Sequence, residues 1–373
     1  MQWPRVALVM IVKDEEAVIE RALRSAIPWI QTWCIVDTGS TDSTKEVIRR
    51  VMAEADISGC LHERPWVNFG HNRTEALELC RGKAEWALML DADDNLMDSA
   101  VPPREIWDHL ELDAMTIRIR HEQIWHTRVQ VFRVDADWCY EGVVHEQPRC
   151  RGSSEPKVLM LPAPYGMETR CAGARSRDPQ KYIKDAALLE AEWIRNPTDA
   201  RTLFYLAQSY RDAGKQKEAI HYYKKYIDLT EGPTQHERYM AYVNLLNLVA
   251  DPVDQVDLAW SAIEVCPDRL EAPFTLINRR RVAGLAPTQQ IYAVGAICKN
   301  RKPDSKWPYV NPMIYSVGFD DEFAVVAFST GHYQEAYDAT MRCVLNTEDQ
   351  AARDAAIQNA RSCRARIEAS GTN

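Results

Sequence analysis

The chain has 373 residues, of which 46% are hydrophobic and 27% charged, with a formal net charge of −9. That length and apolar content suit two soluble domains with full cores rather than one domain or a disordered chain. The acidic balance excludes a surface devoted as a whole to a phosphate-coated polymer, and ten cysteines without a C-x-x-C pair point to a reducing, cytoplasmic setting rather than a disulfide framework or a zinc ribbon.

The first apolar run, Val6–Val12, is rich in β-branched residues and stops at Lys13-Asp14-Glu15-Glu16. It is too short to span a bilayer and lacks a small-residue cleavage site, so it reads as a strand rather than a signal peptide. No later segment reaches membrane-spanning length. Apolar residues at Val18, Ile19, Ala22, Leu23 and Ala26 have helical spacing, which Pro28 ends. Thr32–Asp37 is a second short strand. Ser43 and Glu46 then have the spacing of a capping box for a helix carrying Val47, Ile48 and Val51.

A third strand is expected near Ile57–His62, a polar connection over Arg64–Asn72, and a helix over Thr74–Cys80 with Gly82 as its cap. The next strand, Trp86–Leu90, ends abruptly in the carboxylates Asp91, Asp93 and Asp94. Such βαβα alternation argues for a mostly parallel, Rossmann-like sheet with helices on both faces. Ligands of open α/β sheets bind at the carboxyl ends of the strands. This edge receives Asp14, Asp37, Asp91 and Asp93 from three strands. An Asp-x-Asp there offers hard oxygen ligands to Mn²⁺ or Mg²⁺, which complete their shells with substrate phosphates. The plainer readings are an acidic turn for Asp91–Asp94, an Asx-turn for Asp37 and a surface ion pair for Arg73.

The segment Arg128–Glu146 alternates apolar and polar residues and then gathers Trp138, Tyr140, Glu141, His145 and Glu146. A histidine beside a carboxylate suits a metal ligand plus a base, or a base oriented by its neighbour. No G-x-S-x-G, H-E-x-x-H or G-K-[ST] occurs, so nucleophile-elbow, zincin and P-loop chemistries have no foothold.

Four phrases, Lys13-Asp14-Glu15-Glu16, Asp37–Asp42 (DTGSTD), Leu90–Asp94 (LDADD) and Tyr140–Glu146 (YEGVVHE), resemble the GT-A glycosyltransferases of family 2, inverting enzymes that use sugar nucleotides. The resemblance covers about residues 4–170. Asp14 stands where Asn is usual, and His71-Asn72-Arg73 where the family more often shows Ala-Arg-Asn. The resemblance implies a GT-A domain with a nucleotide-sugar donor, most simply UDP-linked. Asp14 would belong to the donor site, Asp37 would accept a hydrogen bond from a pyrimidine ring, Arg73 would approach the base or diphosphate, and Asp91 would hold the ribose. Asp93 would ligate Mn²⁺ or Mg²⁺, His145 would serve the metal or the diphosphate, and Glu146 would deprotonate the acceptor, with Glu141 as the competing base.

From Gln180 the strand–helix alternation stops. Tyr182–Ile194 reads as a helix closed by Asn196-Pro197. Leu203, Leu206, Ala207, Tyr210, Gly214, Ala219, Tyr223 and Tyr226 follow a tetratricopeptide register, which Ser316–Val344 repeats loosely. Arg238–Cys266 and Leu270–Ile297 read as further helical pairs, and the tail after Arg364 as frayed. The expected division is therefore a GT-A domain over 1–176 and an all-α tetratricopeptide-like domain over 177–373. The array would gather a peptide, protein or glycan acceptor, brace the first domain, or form a homodimer. Arg279-Arg280-Arg281 and Lys299–Tyr309 read first as a charged helix face and a solvated loop, and second as a surface for an anionic acceptor. Modified nucleobases of DNA are a disfavoured acceptor on charge grounds. A different class of reading is a helical-repeat interaction protein with a degenerate GT-A domain, against which the joint retention of Asp37, Asp91, Asp93, His145 and Glu146 argues.

Overall fold

The computed structural model describes residues 5–97, 101–107, 111–121, 124–170, 172–304, 307 and 310–370. The chain divides into two compact units, Met1–Glu192 and Trp193–Asn373. The change of composition expected at residue 176 precedes this division.

In chain order the first unit contains β1 (Val6–Val12), α1 (Ile19–Ala26), β2 (Thr32–Asp37), α2 (Thr44–Glu54), β3 (Gly59–Glu63), α3 (Phe69–Leu79), β4 (Trp86–Met89) and β5 (Asp94–Met97). There follow α4 (Arg104–Trp107), β6 (Ala114–His121), β7 (Ile124–Arg133), β8 (Trp138–Glu141), β9 (Gln147–Cys150), β10 (Val158–Met160), β11 (Gly166–Thr169) and α5 (Lys181–Arg195), within which the division falls. One sheet runs β3-β2-β1-β4-β7-β6-β11-β5, with β10 beside β6, while β8 and β9 form a separate hairpin. Strands β3, β2, β1 and β4 are parallel. Antiparallel β7 then enters between β4 and β6, so the sheet is parallel over β3, β2, β1 and β4, where the first three motifs lie, and mixed beyond them.

The period of two in β1 explains the layers. Val6, Leu8, Met10 and Val12 pack on one face with Ile19 and Leu23 of α1 and Ile48 and Val51 of α2. Ala7 and Val9 face the other way, toward Ala76 and Leu77 of α3. A strand covered on both faces has no solvent side, hence the unbroken apolar run. Because β1, β2 and β4 point the same way, the residues that follow them emerge at one edge.

Three local expectations are corrected. Ser43 does not cap α2: its φ of −81° and ψ of 15° lie outside the extended region a capping side chain needs. Asp42 Oδ1 takes the role instead, accepting from the Thr44 backbone N–H at 3.0 Å and the Thr44 hydroxyl at 2.5 Å. Helix α3 starts at Phe69, inside the stretch read as a polar connection, because Asn68 caps it by accepting from His71 N–H at 2.8 Å. At the far end, the last helix continues past Arg364 to Ser370.

The second unit is all helical: α6 (Ala200–Asp212), α7 (Gln216–Ile227), α8 (Gln235–Leu248), α9 (Pro252–Val265), α10 (Glu271–Val282), α11 (Gln289–Cys298), α12 (Phe319–Ser329), α13 (Tyr333–Asn346) and α14 (Gln350–Ser370). Helices α6 to α9 pack in succession, as do α12 to α14. This is a tetratricopeptide-like array. Gly214 at φ 71° and Gly331 at φ 88° make the left-handed turns between α6 and α7 and between α12 and α13. Fully buried Ala219 and Ala336 let the paired helices approach. Of the stretch Lys299–Tyr309, residues 305, 306, 308 and 309 lie outside the described residues; Lys299 itself pairs with Glu335 at 2.9 Å.

Its core holds an ion pair that periodicity does not reveal. Arg269 is 0% exposed and donates to Glu271 at 2.9 and 3.0 Å. The hydroxyls of Tyr239 and Tyr315 donate to the same carboxylate at 3.3 and 3.0 Å. Burial opposes the Arg269 charge, but Glu271 outweighs it and raises its pKa. Replacing only the arginine strands a buried carboxylate, so Arg269→Ala should destabilise the protein by about 3–5 kcal/mol. Arg269→Met combined with Glu271→Leu should cost less than the single change, measured by urea unfolding followed by circular dichroism.

Candidate active site

At the carboxyl edge the loop after β2 closes on the loop after β1. Asp37 is 1% exposed, and its Oδ1 accepts from Gly39 N–H at 3.0 Å and Ser40 N–H at 2.9 Å. This is an Asx-turn, with Gly39 at φ 108°. It accounts for only half of the carboxylate: Oδ2 is buried without a hydrogen-bond partner among the described residues. Asp14 Oδ1 accepts from the Thr41 backbone N–H at 2.7 Å and hydroxyl at 3.1 Å, while its own N–H donates to Ser40 Oγ at 3.0 Å.

Helix α3 brings the arginine. Gly70 lies so close to the β8 hairpin that an added Cβ would stand 2.4 Å from the Gly142 carbonyl oxygen, and the Tyr140 N–H donates to Thr74 Oγ1 at 2.8 Å. The helix is thereby fixed against the turn that carries Glu146. Arg73 donates through Nε to Glu146 Oε1 at 2.6 Å and through Nη2 to Asp91 Oδ1 at 2.5 Å, above the half-buried Tyr140 ring at 5.7 Å. Burial works against this charge, but Asp91 and Glu146 outweigh it and raise the Arg73 pKa. The neighbours in the motif do other work. Asn72 is 0% exposed and ties Val67 N–H and the Pro65 carbonyl at 3.0 and 3.1 Å, while His71 is exposed.

The Asp91–Asp94 corner is an unequal set of acids. Burial pushes Asp91 up, yet Arg73 and then Arg128 pull harder and hold it below its usual range. Asp94 is buried, accepts from Asp91 N–H at 3.3 Å and lies 3.2 Å from Arg128 Nη2. Burial, with the Asp91 charge beside it, pushes Asp94 up to about 7. Asp93 Oδ2 accepts from Gly173 N–H at 3.1 Å, and the Asp93 carbonyl accepts from Arg21 at 3.3 Å. Glu15 accepts from Ala174 N–H at 3.0 Å. Its carboxyl is pushed up to about 7, first by burial and then by Asp93 and Asp91.

The structure thus joins Asp91, Arg73 and Glu146 directly. It does not join Glu141, which is exposed and paired with Arg149 at 3.1 Å on the hairpin, nor does it bury His145, which is exposed with φ 55°. The sequence pattern does not single out Glu15, Arg128 or Gly173: Glu15 lies within the Lys13–Glu16 motif, whereas nothing in the local pattern distinguishes Arg128 or Gly173. A cavity of about 490 Å³ is lined by Asp14 and Glu15 together with Lys13, Thr38, Trp66, Phe69 and Arg175. Trp66 and Phe69 meet edge to face at 4.7 Å. Arg175 covers Phe69 at 4.3 Å while paired with Asp185 at 2.6 Å.

Comparison with known proteins decides what this edge belongs to, because the glycosyl transferase family 2 profile matches residues 7–106. The chain carries a family 2 glycosyl transferase domain. The matched region contains β1 to β4 and the Asp37, Arg73 and Asp91–Asp94 positions. The chain is 24% identical over 271 residues to the glycosyltransferase SunS of Bacillus subtilis, covering 68% of this chain and 61% of that protein. It is 30% identical over 148 residues to a TPR repeat-containing protein of Synechococcus elongatus, covering 38% of this chain and 35% of the relative. The matches therefore span less than two thirds of either relative. Staphylococcus aureus TarS 1–349, solved with UDP-GlcNAc, matches at 13% identity and TM-score 0.39 over 75% of this chain and 92% of its own.

Among the described residues no group of three or more His, Cys, Asp or Glu has the arrangement of a metal site. The family 2 domain nevertheless presents two hard oxygen donors that converge: a Cβ built on Gly173 would lie 3.2 Å from both Glu15 oxygens and 3.3 Å from Asp93 Oδ2. That cradle suits a cation that takes its other ligands from water and phosphate.

The raised carboxyls set a pH dependence for the protein in EDTA. Glu15 and Asp94, both at about 7 when folded, hold a proton that the unfolded chain releases near pH 4. Their contribution is complete below pH ~4 and is lost as the pH rises through ~7. Asp94→Asn should remove its share of that loss, making the dependence of stability on pH less negative than in the unaltered protein by up to ~1.4 kcal/mol per pH unit within this window, measured from denaturant midpoints. An unchanged slope would mean that Asp94 is ionised in the folded protein.

Proposed function

We propose that the chain is a metal-dependent, inverting glycosyltransferase that moves a sugar from a UDP-linked donor to a peptide, protein or glycan acceptor. The observation that carries the reading is Arg73, one buried cation holding both Asp91 and Glu146 at the edge where Asp37 keeps a buried, unpartnered oxygen. An unsatisfied buried acceptor is expensive, and a single N–H of a pyrimidine ring would satisfy Oδ2. Asp91, kept ionised by Arg73, would accept from ribose hydroxyls. Lys13 and Arg175 in the cavity lining would meet phosphate oxygens.

Asp93 with Glu15 would hold Mn²⁺ or Mg²⁺, and His145 would serve that ion or the diphosphate. The ion, when bound, supplies charge neutralisation for the departing diphosphate. Glu146 is the proposed base: Oε1 is occupied by Arg73, whereas Oε2 has no hydrogen-bond partner among the described residues. An acceptor hydroxyl would pass its proton to Oε2 as the sugar carbon is attacked from the face opposite the nucleotide. Inversion needs one such base and no covalent intermediate. Glu141, exposed and paired with Arg149, is the weaker candidate.

No helix among the described residues is long and apolar enough to cross a membrane. The nine described cysteines are free thiols, eight of them buried, which supports a cytoplasmic setting; Cys171 lies outside the described residues.

A panel of nucleotide sugars screened for Mn²⁺-dependent hydrolysis tests the reading. At least one donor should be cleaved, and UDP with Mn²⁺ should raise the melting temperature. Asp93→Ala should remove both effects. Glu146→Gln should lower turnover by about 10²–10⁴-fold and keep the UDP/Mn²⁺ shift. A protein showing neither hydrolysis nor a shift would be a scaffold.

A further inference from the structure

The helical unit has a cavity of its own, about 270 Å³, formed where α10 ends. Gly284 at φ 67° closes that helix, with Gly284 N–H donating to the Arg281 carbonyl at 3.0 Å and Leu285 N–H to the Arg280 carbonyl at 2.9 Å. The chain then folds back, so that Leu285 and Pro287 wall one side. Ile277 of α10, Ile291 of α11, and Val325 and Val326 of α12 supply the rest of the apolar lining. Leu285 and Val325 are 44% and 40% exposed, and nearby Val282 is 74% exposed. At this volume the cavity is smaller than a cofactor pocket and has room for a single large aliphatic side chain.

The three consecutive arginines of α10 go three ways. Arg279 donates to the main-chain carbonyls of Asn247 and Val249. Arg281 makes three hydrogen bonds of 2.6–3.0 Å to Glu322, which also accepts from Asn278 at 2.7 Å. Glu322, the sole carboxylate in the cavity lining among the described residues, is thus fully engaged. Arg280 also lines the cavity, yet its only hydrogen bond among the described residues is a long one to the Ala286 carbonyl at 3.5 Å. Its Nε is buried without a partner, and no carboxylate among the described residues pairs with it. The result is one uncompensated guanidinium over a water-facing apolar floor.

We infer that this cavity is a docking site for an acidic peptide segment of a partner protein, one in which a large aliphatic side chain stands beside an Asp or Glu. The aliphatic group would cover Leu285 and Val325, and the carboxylate would take the planar N–H fork of Arg280. Arginine suits this role because its donors match carboxylate geometry and its charge persists at all physiological pH. The site stands apart from the proposed transferase reading and does not depend on it.

The test uses the full chain with ¹³C-labelled Leu and Val methyls and two blocked peptides, acetyl-Leu-Glu-amide and acetyl-Leu-Gln-amide. The acidic peptide should shift the Leu285 and Val325 methyl signals and saturate at about ten-fold lower concentration than the neutral one, the ratio a charge-assisted hydrogen bond supplies. Arg280→Gln, checked for an otherwise unchanged methyl spectrum, should bring the two peptides to equal affinity. Equal affinity in the unaltered protein, shifts confined to other methyls, or an acidic preference that survives Arg280→Gln would overturn the proposal.

Discussion

The Arg73 guanidinium, buried between two carboxylates from distant parts of the chain, is the constraint on which the candidate site rests. Asp91 follows β4, and Glu146 follows the turn after β8. Two ionised acids brought this close would repel each other, and a lone buried arginine would be worse still. Each member is tolerable only because the other two are present. The planar guanidinium offers Nε to one acid and Nη2 to the other, fixing direction as well as distance. Three elements, the end of β4, α3 and the turn before β9, are thereby held in one arrangement.

The same corner is neutralised unevenly. Asp91 and Asp94 share Arg128, and Asp91 has Arg73 as well. Asp93 and Glu15 accept from the backbone N–H groups of Gly173 and Ala174, and no ion pair to either carboxylate is formed among the described residues. The push on Glu15 to about 7 comes first from burial and then from the neighbouring Asp93 and Asp91 charges. A divalent ion would gain most on this side. On the arginine side it would find its ligands already occupied.

Much of this is legible in the amino-acid sequence. β1 and β2 begin and end where the apolar runs do, because a strand buried on both faces has no polar positions to blur its limits. The parallel order follows from the alternation of elements, and it places the carboxylates at one edge without further information. The antiparallel entry of β7 did not announce itself, since strand direction leaves no trace in a pattern of alternating residues. Arg128 was invisible for a related reason: its importance comes from β7 lying beside β4, a long-range pairing. Gly173 and Ala174 act through their main-chain N–H groups, which every residue but proline possesses. The capping box failed more locally, because Ser43 had the right spacing but a competing acid, Asp42, lay one residue earlier.

Backbone conformation adds an independent argument about where the demands of the fold are overridden. Asp14 and His145 are held at φ 56° and 55°, a left-handed conformation that costs a residue with a Cβ of order 1 kcal/mol or more. Glycine would relieve that cost at either position, and neither position has it. For Asp14 the compensation is visible, since its side chain and main chain both bind the Ser40–Thr41 turn. The left-handed bend is what turns the chain after β1 back toward the loop after β2, so the strain supports the loop geometry around Asp37. His145 bends the chain immediately before Glu146, and that bend delivers the glutamate to Arg73. In both cases the unfavourable residue is the one that aims a carboxylate.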